Sequence, residues 1–284
     1  MFFIRRAFNG VTASVFALTL VFSLTGTANA DENSGTVPAQ ADRISIEYAI
    51  GYFTDTGKIV ASPVNWSGDD WLKAGLVAAA TAGIYFADSD IKNFVQRNQS
   101  SAGGSLASIG NAFGNPSYTL PPLGLFYLYG HFADDPKARQ TSLLAAESIA
   151  ISALFSVSLK LLAQRPRPQT GESSGNWYGP RLNAGDMSFP SGHSTAAFSL
   201  ASVLAEEYGA NPYVPPIAYG LASLTAFARV YDNKHWASDV FFGGAIGYFV
   251  GKTVVRYHTQ SNSALMILPT ITPQGLGVTA QCRF

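Results

Sequence analysis

The chain has 284 residues, 18 basic against 18 acidic side chains and only 13% charged residues, about half the ~25% usual for soluble domains. With no net charge and no basic run it carries no electrostatic footprint for nucleic acid. The single cysteine, Cys282, excludes an internal disulfide and a thiolate metal cluster. The length suits one large domain with a sizeable core, and a mean hydropathy of +0.13 fits a protein in touch with a membrane or a lipid better than a fully solvated one.

Arg5 and Arg6 precede an apolar run over 11–24 that exits through Ala28-Asn29-Ala30. This is the pattern of a secretory signal cleaved after Ala30. The alternative is an uncleaved amino-terminal anchor, for which the run is short against the roughly 20 residues of a span. Export would carry the mature chain to a bacterial periplasm or outside the cell. The expected organisation is a signal peptide over 1–30, a leader and N-terminal segment over 31–66, a helical domain over 67–256 and a C-terminal tail over 257–284.

Ser67 and Asp70 are spaced as a capping box and predict a helix start ahead of the apolar stretch Trp71 to Ala87. Gly103 to Pro122 is rich in Gly, Ser, Asn and Pro and reads as a loop with the character of a lid. Thr141 to Gln164 is nearly continuous apolar sequence of spanning length, interrupted by Glu147 and Lys160. The Arg165-Pro166-Arg167-Pro168 run must stop that helix. Lys160 is thereby placed in a last turn and Arg167 in extended chain. Residues 169–187, with Trp177 and Tyr178, predict an irregular connection.

Pro190-Ser191-Gly192-His193 opens the next apolar run and directs helix-start N–H groups at any bound anion. Val214 to Val230 and Asp239 to Val255 predict two further helices. In the second, Gly243, Gly247 and Gly251 recur every four residues, a pattern for close approach to a neighbouring helix. His235 and Asp239 are four apart at its start, so one face brings the carboxylate to the ring. Leu265 to Leu268 and Gly277 to Phe284 alternate in the β manner and predict a tail packed on the helices or on a partner.

Three stretches stand in a fixed order: Lys160-x6-Arg167-Pro168, Pro190-Ser191-Gly192-His193, and Arg229-x5-His235-x3-Asp239. Guanidinium forks and a lysine charge neutralise phosphoryl oxygens, and the Ser-Gly backbone donates further hydrogen bonds. Two histidines remain for making and breaking bonds, and a buried carboxylate beside one of them would fix its tautomer.

This arrangement resembles the phosphatidic acid phosphatase type 2 and vanadium haloperoxidase superfamily, which includes the bacterial class A acid phosphatases. The first two motifs match in full, and the third has Ala228 where the family has a serine. The resemblance implies an all-α helical bundle of the acid phosphatase and haloperoxidase type, here with a short β-like C-terminal tail. It further implies His235 as the nucleophile that forms a phosphohistidine, His193 as the acid and then base, and Asp239 as acceptor of the second ring N–H of His235. Lys160, Arg167 and Arg229 would clamp the phosphoryl oxygens, with Ser191 and the Gly192 N–H completing the cradle.

No metal or cofactor is expected, and vanadate would inhibit. The expected activity is hydrolysis of a phosphomonoester or pyrophosphate of a lipid, on the periplasmic side by a membrane-associated protein. The alternatives are a haloperoxidase with vanadate as cofactor and a non-catalytic envelope protein that binds lipid phosphate. His131 and His258 lack such company and read as surface or packing residues. Arg165 and Arg181 reach the mouth of the site or face solvent.

Overall fold

The structure is a computed structural model that describes residues 42–180, 187–260, 266–272 and 275–281. The expected signal peptide and Arg181 lie outside the described residues. Among the described residues eight α-helices follow one another: α1 (Ile46–Ala61), α2 (Gly68–Arg97), α3 (Ser101–Phe113), α4 (Pro116–Phe132), α5 (Pro136–Ala163), α6 (Gly192–Glu207), α7 (Val214–Tyr231) and α8 (Ala237–Gln260). A two-stranded antiparallel hairpin, β1 (Met266–Thr272) and β2 (Gly275–Gln281), comes last, with Met266 opposite Gln281. The fold is the expected helical bundle with a β tail.

Local sequence sets these boundaries. Ser67 and Asp70 form the capping box in both directions at the start of α2. Asn115 caps α4 ahead of Pro116, and Asp135 caps α5 ahead of Pro136, each proline sitting where a missing N–H costs nothing. At its other end α5 stops at Gln164, which takes a left-handed conformation before the proline-containing run. The 31–66 segment, read as a leader, contains the helix α1 from Ile46 onward.

The stretch Gly103 to Pro122 is not a loop. It forms α3 and most of the first half of α4. Its glycines serve helix contact rather than turns: a Cβ on Gly110 would lie 2.3 Å from the Leu224 carbonyl oxygen, and Thr225 Oγ1 donates to the Gly110 carbonyl at 2.7 Å. Composition alone cannot separate a glycine that bends the chain from one that admits a second backbone.

Helix α6 is the axis of the bundle. Leu200, Ala201, Val203 and Leu204 are sealed from solvent in a core shared with Leu144 of α5, Ala222 of α7 and Val254 of α8. The glycine series of α8 faces α6 directly. Cβ atoms on Gly243, Gly247 and Gly251 would lie 2.6, 2.1 and 2.7 Å from the carbonyl oxygens of Ser191, Thr195 and Ser199. The two backbones touch along three turns, and this fixes the start of α6 against the start of α8.

The outer face is unusually apolar. Trp71, Leu76, Phe86, Phe94, Leu125 and Phe132 all expose more than half of their surface. Among the described residues one helical stretch, Pro136–Thr170, is long and apolar enough to cross a membrane, and 56% of its 18-residue apolar window is buried within the protein.

Candidate active site

The three motifs meet at the end of the bundle where α5 stops and α6 and α8 begin. Lys160, in the last turn of α5 as predicted, extends its ammonium to the carbonyls of Met187 at 2.8 Å, Ser188 at 3.4 Å and Pro190 at 2.5 Å. It thereby braces the chain that leads into Ser191-Gly192-His193. Its donors face protein carbonyls, so it reaches a bound anion through charge more than through a clamp of hydrogen bonds. Burial, opposed by Asp239 and reinforced by Arg167 and Arg229, brings its pKa down to about 8.

Ser191 is the N-cap of α6. Its Oγ accepts from the Ser194 N–H, and its own N–H donates to the Asp239 carbonyl at 3.0 Å. Gly192 and His193 therefore occupy the first helical positions, whose N–H groups have no intrahelical acceptor and carry the positive end of the dipole. Lys160 Cε lies 3.9 Å from where a Gly192 Cβ would stand. Arg167 sits in extended chain just before a short 3-10 turn.

Arg229 lies in the last turn of α7, and its carbonyl accepts the N–H groups of Lys234 and His235, which folds the link to α8 back on itself. Its guanidinium donates to Asn111 Oδ1 at 2.6 Å, and Asn111 in turn donates to Asp232 at 2.6 Å. Arg229 Nε is buried without a partner in the protein, so one donor of the fork is left over. Ala228 is wholly buried with Ala107 and Tyr231. At this position the chain presents an apolar contact with α3 where the family pattern has a hydroxyl.

His235 is nearly sealed, at 3% exposure. Its Nδ1 lies 2.8 Å from the Ser188 carbonyl oxygen and 3.7 Å from Asp239 Oδ2. The acceptor expected to be Asp239 is thus first of all the Ser188 carbonyl, because Asp239 already has other donors. Oδ2 accepts from Ser188 Oγ at 2.5 Å and from the Trp236 N–H at 2.9 Å, while Oδ1 accepts from Arg165 at 2.6 Å. A carbonyl can only accept, so Nδ1 carries the proton and Nε2 of neutral His235 holds a lone pair.

The electrostatics agree with that protonation. Burial is the main cause that brings His235 down to about 4, with Lys160 and Arg167 adding and Asp239 opposing. His193 falls to about 3 through burial and then through the charges of Arg229, His235, Arg167 and Lys160. Burial works against ionisation of Asp239, yet His235, Arg165 and Ser188 outweigh it and hold the carboxyl below its ordinary range.

Sequence reasoning left Arg165 at the site mouth or in solvent. It is instead completely buried, and it joins Asp239 on one side to Asp88 of α2 on the other, at 2.6 and 2.7 Å. Tyr85, Trp177 and Trp236 lie around its guanidinium at about 5 Å, close enough for cation–π attraction. Asp88 also receives the N–H and hydroxyl of Ser238, at the first turn of α8, at 2.9 and 2.5 Å. Asp88, Asn111, Ser188 and Ser238 carried no signal beyond their polarity. Of the two histidines set aside, His131 lies exposed at the end of α4, whereas His258 is held between Asp55 and Glu147.

The sequence profile of the PAP2 superfamily matches residues 141–263. Over this stretch, which holds all three motifs, the chain is similar to the PAP2 superfamily. Over 66 residues it is 44% identical to lipid A 1-phosphatase of Porphyromonas gingivalis, a match that covers 23% of this chain and 15% of that protein. Over 119 residues it is 29% identical to decaprenylphosphoryl-5-phosphoribose phosphatase of Mycobacterium tuberculosis, covering 42% and 62%. The matched stretch thus spans less than two thirds of either relative. A transmembrane PAP2 type phosphatidylglycerolphosphate phosphatase from Bacillus subtilis superposes with a TM-score of 0.50 at 18% identity, over 76% of this chain and 96% of the other. The PAP2 helical fold is common to both.

Proposed function

We propose that the protein is a metal-independent phosphatase that hydrolyses a phosphomonoester or pyrophosphate of a lipid, on the periplasmic side, through a phosphohistidine at His235. The observation that carries this reading is the orientation of that ring. Nδ1–H is spent on the Ser188 carbonyl, which leaves Nε2 as a neutral nucleophile within a group of three cationic side chains.

The phosphoryl group sits among Lys160, Arg167 and Arg229, with the Gly192 and His193 amides at the start of α6 and the Ser191 hydroxyl beside them. Charge on its oxygens is offset before the reaction begins. Nε2 attacks phosphorus in line, the bond to the leaving oxygen breaks, and protonated His193 gives that oxygen its proton. The N-phosphorylated imidazole is cationic, and Asp239 at 3.7 Å stabilises it. His193, now neutral, takes a proton from water; the hydroxide oxygen bonds to phosphorus, the P–N bond breaks, and phosphate and His235 are regenerated. The low pKa of His193 means that its proton arrives with the substrate, whose negative charge offsets the surrounding cations.

Three features favour a lipid. The outer face is apolar in a way suited to membrane association. An apolar groove of about 650 Å³, lined among others by Phe198, Tyr219, Val240, Phe241 and Phe249, offers room for an acyl or prenyl chain. Both named relatives are phosphatases of lipid-linked phosphates by name.

The test is phosphate release by the purified full chain from phosphatidate, a polyprenyl pyrophosphate, lipid A and a small aryl phosphate, with vanadate as inhibitor. Rapid acid-free quenching with labelled substrate should trap an acid-labile, base-stable phosphoprotein that His235→Ala lacks. Phosphate release that persists in His235→Ala would refute the mechanism, and preference for the small ester would refute the lipid.

A further inference from the structure

At the end of the bundle remote from the cradle, roughly 30 Å along α8 from Asp239, three helices converge on a second polar cluster. Asp55 of α1, Glu147 of α5 and His258 of α8 each offer a metal-ligating atom, all within 4.8 Å of one another. His258 Nε2 lies 3.1 Å from Glu147 Oε2 and 3.3 Å from Asp55 Oδ2, and both carboxylates are buried, at 1% and 7% side-chain exposure. Lys58 holds the other oxygen of Asp55 at 2.7 Å.

Two atoms in this cluster are unsatisfied as it stands. Glu147 Oε1 is buried without a hydrogen-bond partner, and His258 Nε2, although near two oxygens, is aligned with neither as a hydrogen bond. A buried carboxylate oxygen left unpaired is costly.

We propose that Asp55, Glu147 and His258 form a binding site for a divalent transition-metal ion such as Zn²⁺, separate from the phosphate cradle. One imidazole nitrogen and two carboxylates are a ligand set that suits this class of ion. Glu147 Oε1 would complete a bidentate carboxylate. The Tyr48 hydroxyl, which donates to Glu147 Oε2 at 3.0 Å, orients the ligand from behind, as outer partners do in metal sites. The ion would tie α1 to α5 and α8, a structural staple rather than a reaction centre. A proton is the competing occupant: burial disfavours charge on His258, but Asp55 and Glu147 outweigh it and lift the ring to about 9.

The test uses the full chain stripped with a chelator and dialysed, then titrated with Zn²⁺ calorimetrically and with Co²⁺ by visible absorbance. One equivalent should bind, and Asp55→Asn and Glu147→Gln should each weaken binding at least about tenfold. His193→Ala should bind as well as wild type, which separates this site from the catalytic histidines. His258→Gln should abolish the Co²⁺ bands; should that variant misfold, Asp55→Asn on the peripheral helix α1 carries the same comparison. Absence of Zn²⁺ binding, or affinity unchanged in Asp55→Asn and Glu147→Gln, would show that a proton alone occupies the cluster and would overturn the proposal.

Discussion

Arg165 and Asp239 meet at 2.6 Å with both side chains entirely out of solvent, and the same guanidinium holds Asp88 at 2.7 Å. The carboxylate beside His235 is therefore anchored through one arginine to α2, a helix that brings no residue to the three motifs. Arg165→Gln leaves two buried carboxylates short of their cation, a loss of about 3–5 kcal/mol by analogy with broken buried pairs. Arg165→Lys keeps the charge but not the fork, so it should fold better than Arg165→Gln and still fall below wild type in kcat. Thermal unfolding and phosphate release measured on both variants check the pair of expectations.

Because the Ser188 carbonyl, and not Asp239, lies within hydrogen-bond reach of His235 Nδ1, Asp239→Asn should leave the ring tautomer in place. Under the proposed mechanism, what it removes is the negative charge that would stabilise a phosphorylated ring. We expect kcat to drop roughly 10²-fold, within the range for deleting one electrostatic contact in a dry site, with KM little changed. A nitrogen NMR signal that still reports Nδ1–H in Asp239→Asn would support the division of labour; loss of that tautomer would contradict it.

Binding of an anion should be coupled to proton uptake. In the free protein His193 and His235 are held at about 3 and about 4, so both are neutral at pH 6. A bound dianion favours the charged imidazole and raises the pKa of His193. Between the free and the bound value, affinity then falls as pH rises, by up to about tenfold per unit for one coupled proton. Sulfate, whose charge is constant from pH 5 to 8, should inhibit more strongly at pH 5 than at pH 7, and the slope should vanish in His193→Ala.

Gly247 stands where a Cβ would come within 2.1 Å of the Thr195 carbonyl oxygen. Gly247→Ala must push α8 away from α6 and should cost about 1–3 kcal/mol as overpacking. Denaturant unfolding measures that loss. Gly83→Ala, at an exposed helical position where a Cβ meets nothing within 4 Å, should instead be neutral or slightly stabilising.

The gathering of Lys160, Arg167, His193, Arg229 and His235 was legible in the sequence because these residues come in three short local strings, and residue type plus spacing announces each one. The end of α5 and the capping box of α2 were legible for the same reason. Arg165 was not, since nothing in Arg-Pro-Arg-Pro distinguishes the arginine that faces phosphate from the one that turns inward to Asp88 on another helix. His258 looked solitary because Asp55 and Glu147 lie far from it along the chain. The helices α3 and α4 were mistaken for a loop because glycine and proline were weighed as breakers, whereas Gly110 admits the backbone of α7 and Pro116 occupies a helix start. Apart from the local helix start at Pro116, each miss is a case in which tertiary contact, not local preference, decides what a residue does.

The contact of bare backbone between α6 and α8 bears on how such a protein diversifies. His193 lies in the first turn of one of these helices and His235 two residues before the other, so their mutual spacing is dictated by main chain pressed on main chain instead of by adaptable rotamers. Side chains of the apolar groove, such as Phe198, Tyr219 and Phe249, can then be exchanged to suit different hydrophobic tails under the proposed lipid reading, while the two histidines keep their alignment.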